Sequence, residues 1–249
     1  MTSSMDLEQV VALVLAGGFG TRIQHLLKDV PKPMAPVYGK PFLEWLVRYL
    51  AKQGIRQVVI STGYLAGTVE KHFQSAPVKG VSITCVAEKA PLGTGGAVLH
   101  AARSFGRKPE AWLVCNGDSL AFADLNAAAA LLDAKPAVGV VIGRRMDDAS
   151  RYGTLELGPG GELLRFAEKR AGSGIINTGV YFLKHSLVAQ FPEKVPLSLE
   201  KEVFPALTTQ GALLKVNVMD APFLDIGTPE SLPLAESFIQ NNIEQFSHL

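Results

Sequence analysis

Six apolar residues in succession, Val10 to Leu15, form the first regular segment, and so short and uniform a run predicts a strand buried on both faces. The period then changes. Between positions 41 and 52 the apolar residues Phe42, Trp45, Leu46, Tyr49 and Leu50 make one stripe of a 3.6-residue repeat, with Pro41 suited to a first turn and Gly54 beyond the end. The alternation continues with strands at 57–60, 81–86, 112–115 and 138–142, and helices around 68–73, 95–105 and 125–134.

Beyond residue 150 the pattern becomes strand-rich. Segments 154–157 and 163–166 flank the turn Gly158-Pro159-Gly160-Gly161 and predict a hairpin. Strands follow at 175–183 and 213–218, and an amphipathic helix over 229–241, with Thr228 as its cap and Pro229 in its first turn, closes the chain. A βαβα order implies a largely parallel sheet with helices on both faces. Ligands on such sheets gather beyond the carboxyl ends of the strands. Gly17–Arg22, Gly63-Tyr64, Glu88 and Asp118 all fall at such ends. No linker or internal repeat divides the chain, so a single domain is expected, with halves at roughly 8–145 and 146–249.

With 249 residues, 47% of them hydrophobic, the chain can bury a sizeable core. Its 24 basic and 23 acidic residues nearly cancel, which argues against a dedicated nucleic-acid or membrane-surface protein. Cys85 and Cys115 sit in apolar runs and read as core residues of a reduced compartment, not as a disulfide pair. The five histidines lack metal-ligand spacing. The first residues lack the basic and apolar regions of a signal peptide, and no apolar stretch approaches the ~20 residues of a membrane helix, so a cytoplasmic location is expected.

Candidate chemistry begins at Ala16-Gly17-Gly18-Phe19-Gly20-Thr21-Arg22, directly after the first strand, with Pro31-Lys32-Pro33 ten residues on. Glycines allow positive φ and let backbone N–H groups approach an anion. Arg22 can fork onto phosphate oxygens, and Lys32 can place a point charge beside them. The spacing fits neither a Walker loop nor a dinucleotide fingerprint. Four further groups follow in order: Glu88 before Pro91-Leu92-Gly93-Thr94-Gly95-Gly96-Ala97; Asn116-Gly117-Asp118-Ser119; Arg151-Tyr152-Gly153 leading to Glu168-Lys169 and Ile176-Asn177-Thr178-Gly179-Val180-Tyr181; and Asp225-Ile226-Gly227-Thr228-Pro229. Singly, each has a plainer reading: Asp118 as a turn cap, Asp225 as a helix cap, Glu168-Lys169 as a surface ion pair, Gly93–Gly96 as the start of a helix. Their occurrence together at one end of the sheet favours a site.

In these words, over roughly residues 10–240, the chain resembles the sugar-1-phosphate nucleotidyltransferase (nucleotide-sugar pyrophosphorylase) family, and within it the D-glycero-α-D-manno-heptose 1-phosphate guanylyltransferases. The resemblance implies a three-layer α/β/α Rossmann-like fold with a mostly parallel mixed sheet and a β-rich sugar-binding part. It implies transfer of a nucleoside monophosphate from an NTP to a sugar 1-phosphate with release of pyrophosphate, in the service of capsule or lipopolysaccharide synthesis. Carried onto this chain, it places Leu15, Gly17, Gly18, Gly20, Thr21, Gly93, Thr94 and Asn116 around the nucleotide. Arg22 would hold the leaving phosphates and Lys32 the α-phosphate. Asp118 and Asp225 would bind Mg²⁺; Tyr152, Gly153, Glu168, Asn177 and Thr178 would meet the sugar, and Lys169 its phosphate.

Glu88 falls where the family reads the base. A carboxylate only accepts hydrogen bonds, which suits guanine (two donors) above uracil (one) and disfavours cytosine and adenine. GTP is therefore expected, with a UTP-dependent or mannose-1-phosphate-type enzyme as the alternative. A glycosyltransferase ranks low because no D-x-D follows the fourth strand, and a non-catalytic regulator because Arg22, Lys32, Asp118 and Asp225 are all present. The partners expected are small molecules, with homo-oligomerisation left open.

Overall fold

The computed structural model describes residues 5–18, 20–27, 30–134, 136–167, 169 and 171–246. Thirteen strands occur among them: β1 (Val11–Ala16), β2 (Pro36–Val37), β3 (Lys40–Pro41), β4 (Gln57–Thr62), β5 (Ser82–Ala87), β6 (Ala111–Asn116), β7 (Ser119–Ala121), β8 (Gly139–Met146), β9 (Thr154–Leu157), β10 (Leu163–Ala167), β11 (Gly174–Lys184), β12 (Leu214–Met219) and β13 (Phe223–Asp225). The helices are α1 (Phe42–Lys52), α2 (Ala66–Ser75), α3 (Gly93–Phe105), α4 (Leu125–Asp133), α5 (His185–Val188), α6 (Phe204–Thr209) and α7 (Ala235–Asn241).

Strands β5, β4, β1 and β6 form a parallel block in that spatial order. The second half of the chain joins through β11, which runs antiparallel to β6 and to β8; β12 then pairs parallel with β8. The predicted hairpin, β9 with β10, attaches to β11 through Thr154 and Ile176. One sheet thus draws on both halves.

Burial alternates along the strands. Ala12 and Val14 of β1, Leu113 and Cys115 of β6, and Val140 and Ile142 of β8 share one core with residues of α1, α2, α4 and α7. Val11 and Leu13, Trp112 and Val114, and Val141 share the other with α3, α5 and α6. Both sheet faces are covered, which is why the strands read as unbroken apolar runs. Cys115 lies in the first core, its thiol pushed up to about 12 by burial, and Cys85 is half-buried; neither is in a disulfide. No helix among the described residues is long and apolar enough to cross a membrane.

Strands β7 and β13 and helices α5 and α6 were not expected, and the closing helix and the β2–β3 hairpin also differ from expectation. The closing helix begins at Ala235 instead of 229, after a 3₁₀ turn at Leu232–Leu234. An α-helix from 229 would require the Pro233 nitrogen to donate to the carbonyl of residue 229, and proline has no N–H. Thr228 instead exchanges bonds with Ser231, its N–H donating to Ser231 Oγ at 3.1 Å. The unanticipated β2–β3 hairpin turns at Tyr38 (φ +45°) and Gly39 (φ +76°), consecutive positive φ values of the kind tight hairpins use.

Candidate active site

A cavity of about 510 Å³ opens at the carboxyl ends of β1 and β6, between the glycine turn and the start of α3. Leu15, Gly17, Gly18, Gly20, Thr21 and Arg22 line one side of it. Glu88, Gly93 and Thr94 line the other, and Lys32, Asn116 and Asp118 complete it. These are the residues assigned from sequence to the nucleotide and its phosphates, so the cavity gathers that whole set.

Close approach explains Gly17, Gly20 and Gly63, while Gly18 has open space around it. A Cβ on Gly17 would collide with the Glu88 carboxylate, and one on Gly63 would lie 2.5 Å from the Gly17 carbonyl oxygen. Gly20, at φ +59°, would put a Cβ 2.8 Å from that of Lys32, so its bareness lets the lysine stem lie against the turn. Glu88 is held in place: the buried Ser61 hydroxyl donates to Oε1 at 2.9 Å and the Leu92 N–H to Oε2 at 3.2 Å.

Across the cavity, Gly93 takes φ +74°, and a Cβ there would sit 2.5 Å from the Leu197 carbonyl oxygen, so the position requires glycine on both counts. That carbonyl accepts from the Gly95 and Gly96 N–H groups at 2.8 and 3.3 Å. Two first-turn donors of α3 are thereby committed to protein. The Thr94 hydroxyl also points inward, donating to Glu200 Oε2 at 3.1 Å and accepting from the Leu199 N–H at 2.9 Å.

Charge concentrates where β7 meets β13. Their antiparallel pairing sets Ser119 opposite Asp225, and the Ile226 N–H donates to the Asp118 carbonyl at 3.0 Å. Two carboxylates 107 positions apart thus converge on one cation: Lys32 Nζ is in contact with Asp118 Oδ2 and 3.9 Å from Asp225 Oδ1. Burial, then the nearby charge of Asp118, push the Asp225 carboxyl above its ordinary range, against the pull of Lys32, the Gly227 N–H and Arg151. Asp225 caps no helix; its Oδ1 accepts from the Gly227 N–H at 2.5 Å.

Of the residues assigned to the sugar, Tyr152 lies beside this cluster, and Tyr152, Gly153, Lys169, Asn177 and Thr178 are outside the cavity lining. The Tyr152 ring packs edge-on against Phe223 at 5.7 Å, and burial followed by the charge of Asp225 raises its hydroxyl pKa. The Gly153 carbonyl accepts from the Asn177 N–H at 3.0 Å, which ties the two segments together. Thr178 requires a correction: it is 1% exposed and its hydroxyl donates to the Ile142 carbonyl at 2.8 Å, so the side chain serves the core and not a sugar hydroxyl. Lys169 is exposed, and Glu168 lies outside the described residues.

Two residues acquire places that sequence reading gave no role. Arg151 donates to Thr228 Oγ1 at 3.0 Å, with its guanidinium 5.8 Å from the Tyr152 ring centre; its adjacency to Tyr152-Gly153 was the available signal. Glu200 arrives from a distant turn, and nothing local in the sequence marked it.

The nucleotidyl transferase family model matches residues 11–242. The D-glycero-alpha-D-manno-heptose 1-phosphate guanylyltransferase of Campylobacter jejuni is 35% identical over 220 residues, 88% of this chain and 95% of that one. The mannose-1-phosphate guanylyltransferase of Mycobacterium tuberculosis is also 35% identical, over 235 residues that cover 91% of this chain and 63% of that longer one. The crystal structure of HddC from Yersinia pseudotuberculosis complexed with GMP-PN superposes with a TM-score of 0.81 at 32% identity, covering 92% of this chain and 99% of that one. With its Rossmann-like three-layer fold and a match over nearly its whole length, the chain belongs to the nucleotidyl transferase family.

Proposed function

We propose that the protein transfers a nucleoside monophosphate from an NTP, GTP favoured, to a sugar 1-phosphate, with D-glycero-α-D-manno-heptose 1-phosphate the favoured acceptor and GDP-heptose and pyrophosphate the products. The observation that carries this reading is the convergence of Asp118 and Asp225 on Lys32 at the edge of a glycine-walled cavity.

The reaction forms a bond from a sugar-phosphate oxygen to the α-phosphorus and breaks the bond from that phosphorus to the oxygen bridging to the β-phosphate. A phosphate monoester has a second pKa of about 6, so the nucleophile is ionised at neutral pH and needs no general base. The task is to bring two polyanions together and neutralise the charge that develops on pyrophosphate. Arg22 holds the β- and γ-phosphates. Lys32 holds the α-phosphate, giving up its carboxylate partners to do so. The backbone at Gly17, Gly18, Gly20 and Thr21 closes on the triphosphate, and Leu15, Asn116 and the backbone of Thr94 bound the nucleoside. Lys169 receives the incoming phosphate, while Tyr152, Gly153, Glu168 and Asn177 orient the sugar.

Asp118 and Asp225 fit a divalent cation, Mg²⁺ in this reading. Both are hard oxygen donors, and they already enclose a positive charge. Among the described residues no group of three or more His, Cys, Asp or Glu gathers for a metal, so substrate phosphates would complete the coordination. When bound, the ion offsets phosphate charge as a Lewis acid. Glu88, fixed by Ser61 and Leu92, reads the guanine edge beside Gly93. We place both halves in a single domain and the protein in the cytoplasm, where the nucleotide pool and two unpaired cysteines are compatible.

The 35% identity to a mannose-1-phosphate guanylyltransferase favours one second reading, mannose 1-phosphate as acceptor. A pyrophosphate-release screen of the four NTPs against hexose and heptose 1-phosphates tests both. GTP with the heptose phosphate should give the highest kcat/KM; preference for another base or for a hexose phosphate overturns the corresponding half of the proposal.

A further inference from the structure

Asn177 and Tyr181 are four residues apart on β11, a span of about 13 Å in an extended strand. Yet Asn177 Nδ2 donates to the Tyr181 hydroxyl at 2.8 Å. A bulge accounts for this. The pairing of β11 with β8 shifts register between Asn177 and Tyr181, and Gly179 within that interval takes φ +74°. The Gly179 N–H turns back to donate to Asn177 Oδ1 at 3.0 Å.

From Tyr181 the bonds continue inward. Its side chain is wholly buried, and its hydroxyl donates to Glu200 Oε1 at 3.0 Å. Glu200 Oε2 accepts from the hydroxyls of Thr94 at 3.1 Å and Ser198 at 3.0 Å. Glu200 sits in Leu199–Val203, a single turn wound as a π-helix, a rare geometry that occurs frequently at functional sites.

The polarity of this chain of bonds has two sources, the Glu200 carboxylate and the Gly179 N–H. Both Glu200 oxygens accept, from Tyr181 on one and from Thr94 and Ser198 on the other, so the Tyr181 hydroxyl spends its proton on Glu200. The phenolic oxygen is then left as an acceptor, and Asn177 must turn its NH₂ toward it. Gly179, a backbone donor, takes the amide oxygen. Both ends of Asn177 are thereby assigned, and among the described residues one N–H of its NH₂ remains uncommitted.

We infer that Glu200, acting through Tyr181 and alongside the Gly179 N–H, is the positioning residue that holds Asn177 as a hydrogen-bond donor to the sugar phosphate. The site then selects an oxygen acceptor at that point, a sugar hydroxyl or a phosphate oxygen. The inference rests on the proposed function, in which Asn177 faces the sugar.

The test is steady-state kinetics of Tyr181→Phe, Glu200→Gln and the double variant, with both substrates varied. Tyr181→Phe keeps the ring packing and the Thr94–Glu200 bond and removes only the relay. Losing one oriented hydrogen bond should raise the sugar-phosphate KM about 5- to 10-fold, with the NTP KM within about twofold. Glu200→Gln should raise the sugar-phosphate KM similarly, and the double variant should be no worse than the worse single, because one path is cut twice. A purely structural role would move both KM values together. On active wild-type protein, an unchanged sugar-phosphate KM in Tyr181→Phe, or equal shifts for both substrates, overturns the inference even if Glu200→Gln fails to fold. Wild-type protein inert toward every NTP and sugar 1-phosphate pair overturns the proposed function instead, and the inference with it.

Discussion

Lys32 stands between two carboxylates at the cavity edge, with its side chain 13% exposed, and exchanges those partners for phosphate in the proposed reaction. Lys32→Ala removes a preorganised electrostatic donor and should lower kcat by about 10²–10³; stopped pyrophosphate assays would show it, and near-normal turnover would remove its role. Asp118→Asn and Asp225→Asn should each displace the magnesium dependence of the rate to higher concentration, and unchanged titrations in both would refute the metal assignment. Glu88→Gln adds a donor where only acceptors stand, so it should narrow the GTP preference over other NTPs; unaltered kcat/KM ratios would place base recognition elsewhere. Much of this residue list was legible because the glycine turn and the motifs around Lys32, Asp118 and Asp225 are local words. Side-chain direction was not. The hydroxyls of Thr94 and Thr178 turn toward Glu200 and Ile142, partners 106 and 36 positions away, and no local pattern announces such bonds.

At the scale of elements, two junctions shape the site. The first is the short ladder of β7 with β13, which brings Asp225 beside Asp118; at three residues each, these strands are too brief to carry a periodic signal. The second is the contact between α3 and residue 197. Gly93→Ala would force an L residue into φ +74° and press a Cβ to 2.5 Å from the Leu197 carbonyl oxygen. That backbone strain should cost about 1–3 kcal/mol, readable as a lower denaturant midpoint, and an unchanged midpoint would mean the junction relaxes freely. The long helices and core strands were legible from periodicity because burial on a face repeats regularly. The closing helix was misplaced at its start because an amphipathic stripe ran across Pro233, whose missing N–H decides where α-helix can begin.

For the molecule as a whole, one buried charge ties together two helices, α1 and α2, that share a core on one face of the sheet. Glu44 of α1 is 2% exposed and accepts from Arg48 at 2.8 Å, with His72 of α2 at 2.8 Å and Lys40 at 3.3 Å also on its carboxylate. Burial alone would raise its pKa, but bonds from Arg48, His72 and Lys40 outweigh it and hold the carboxyl below its ordinary 4.5. A folded pKa below the unfolded one gives stability that is present above about pH 4.5 and is lost as pH falls through the folded value. Glu44→Gln should therefore be less stable than wild type at neutral pH by about 1–3 kcal/mol, with the gap closing in acid. Urea melts across pH 3–7 check this, and a gap constant with pH contradicts it.

The central claim is that one end of this sheet holds an NTP and a sugar 1-phosphate together for direct transfer. Its most direct test mixes the protein with GTP, D-glycero-α-D-manno-heptose 1-phosphate and magnesium and counts pyrophosphate and nucleotide-sugar in the same samples. The account predicts the two in equal amounts, and neither when GTP or the sugar phosphate is omitted. Release of orthophosphate, or pyrophosphate formed without the sugar phosphate, would contradict it.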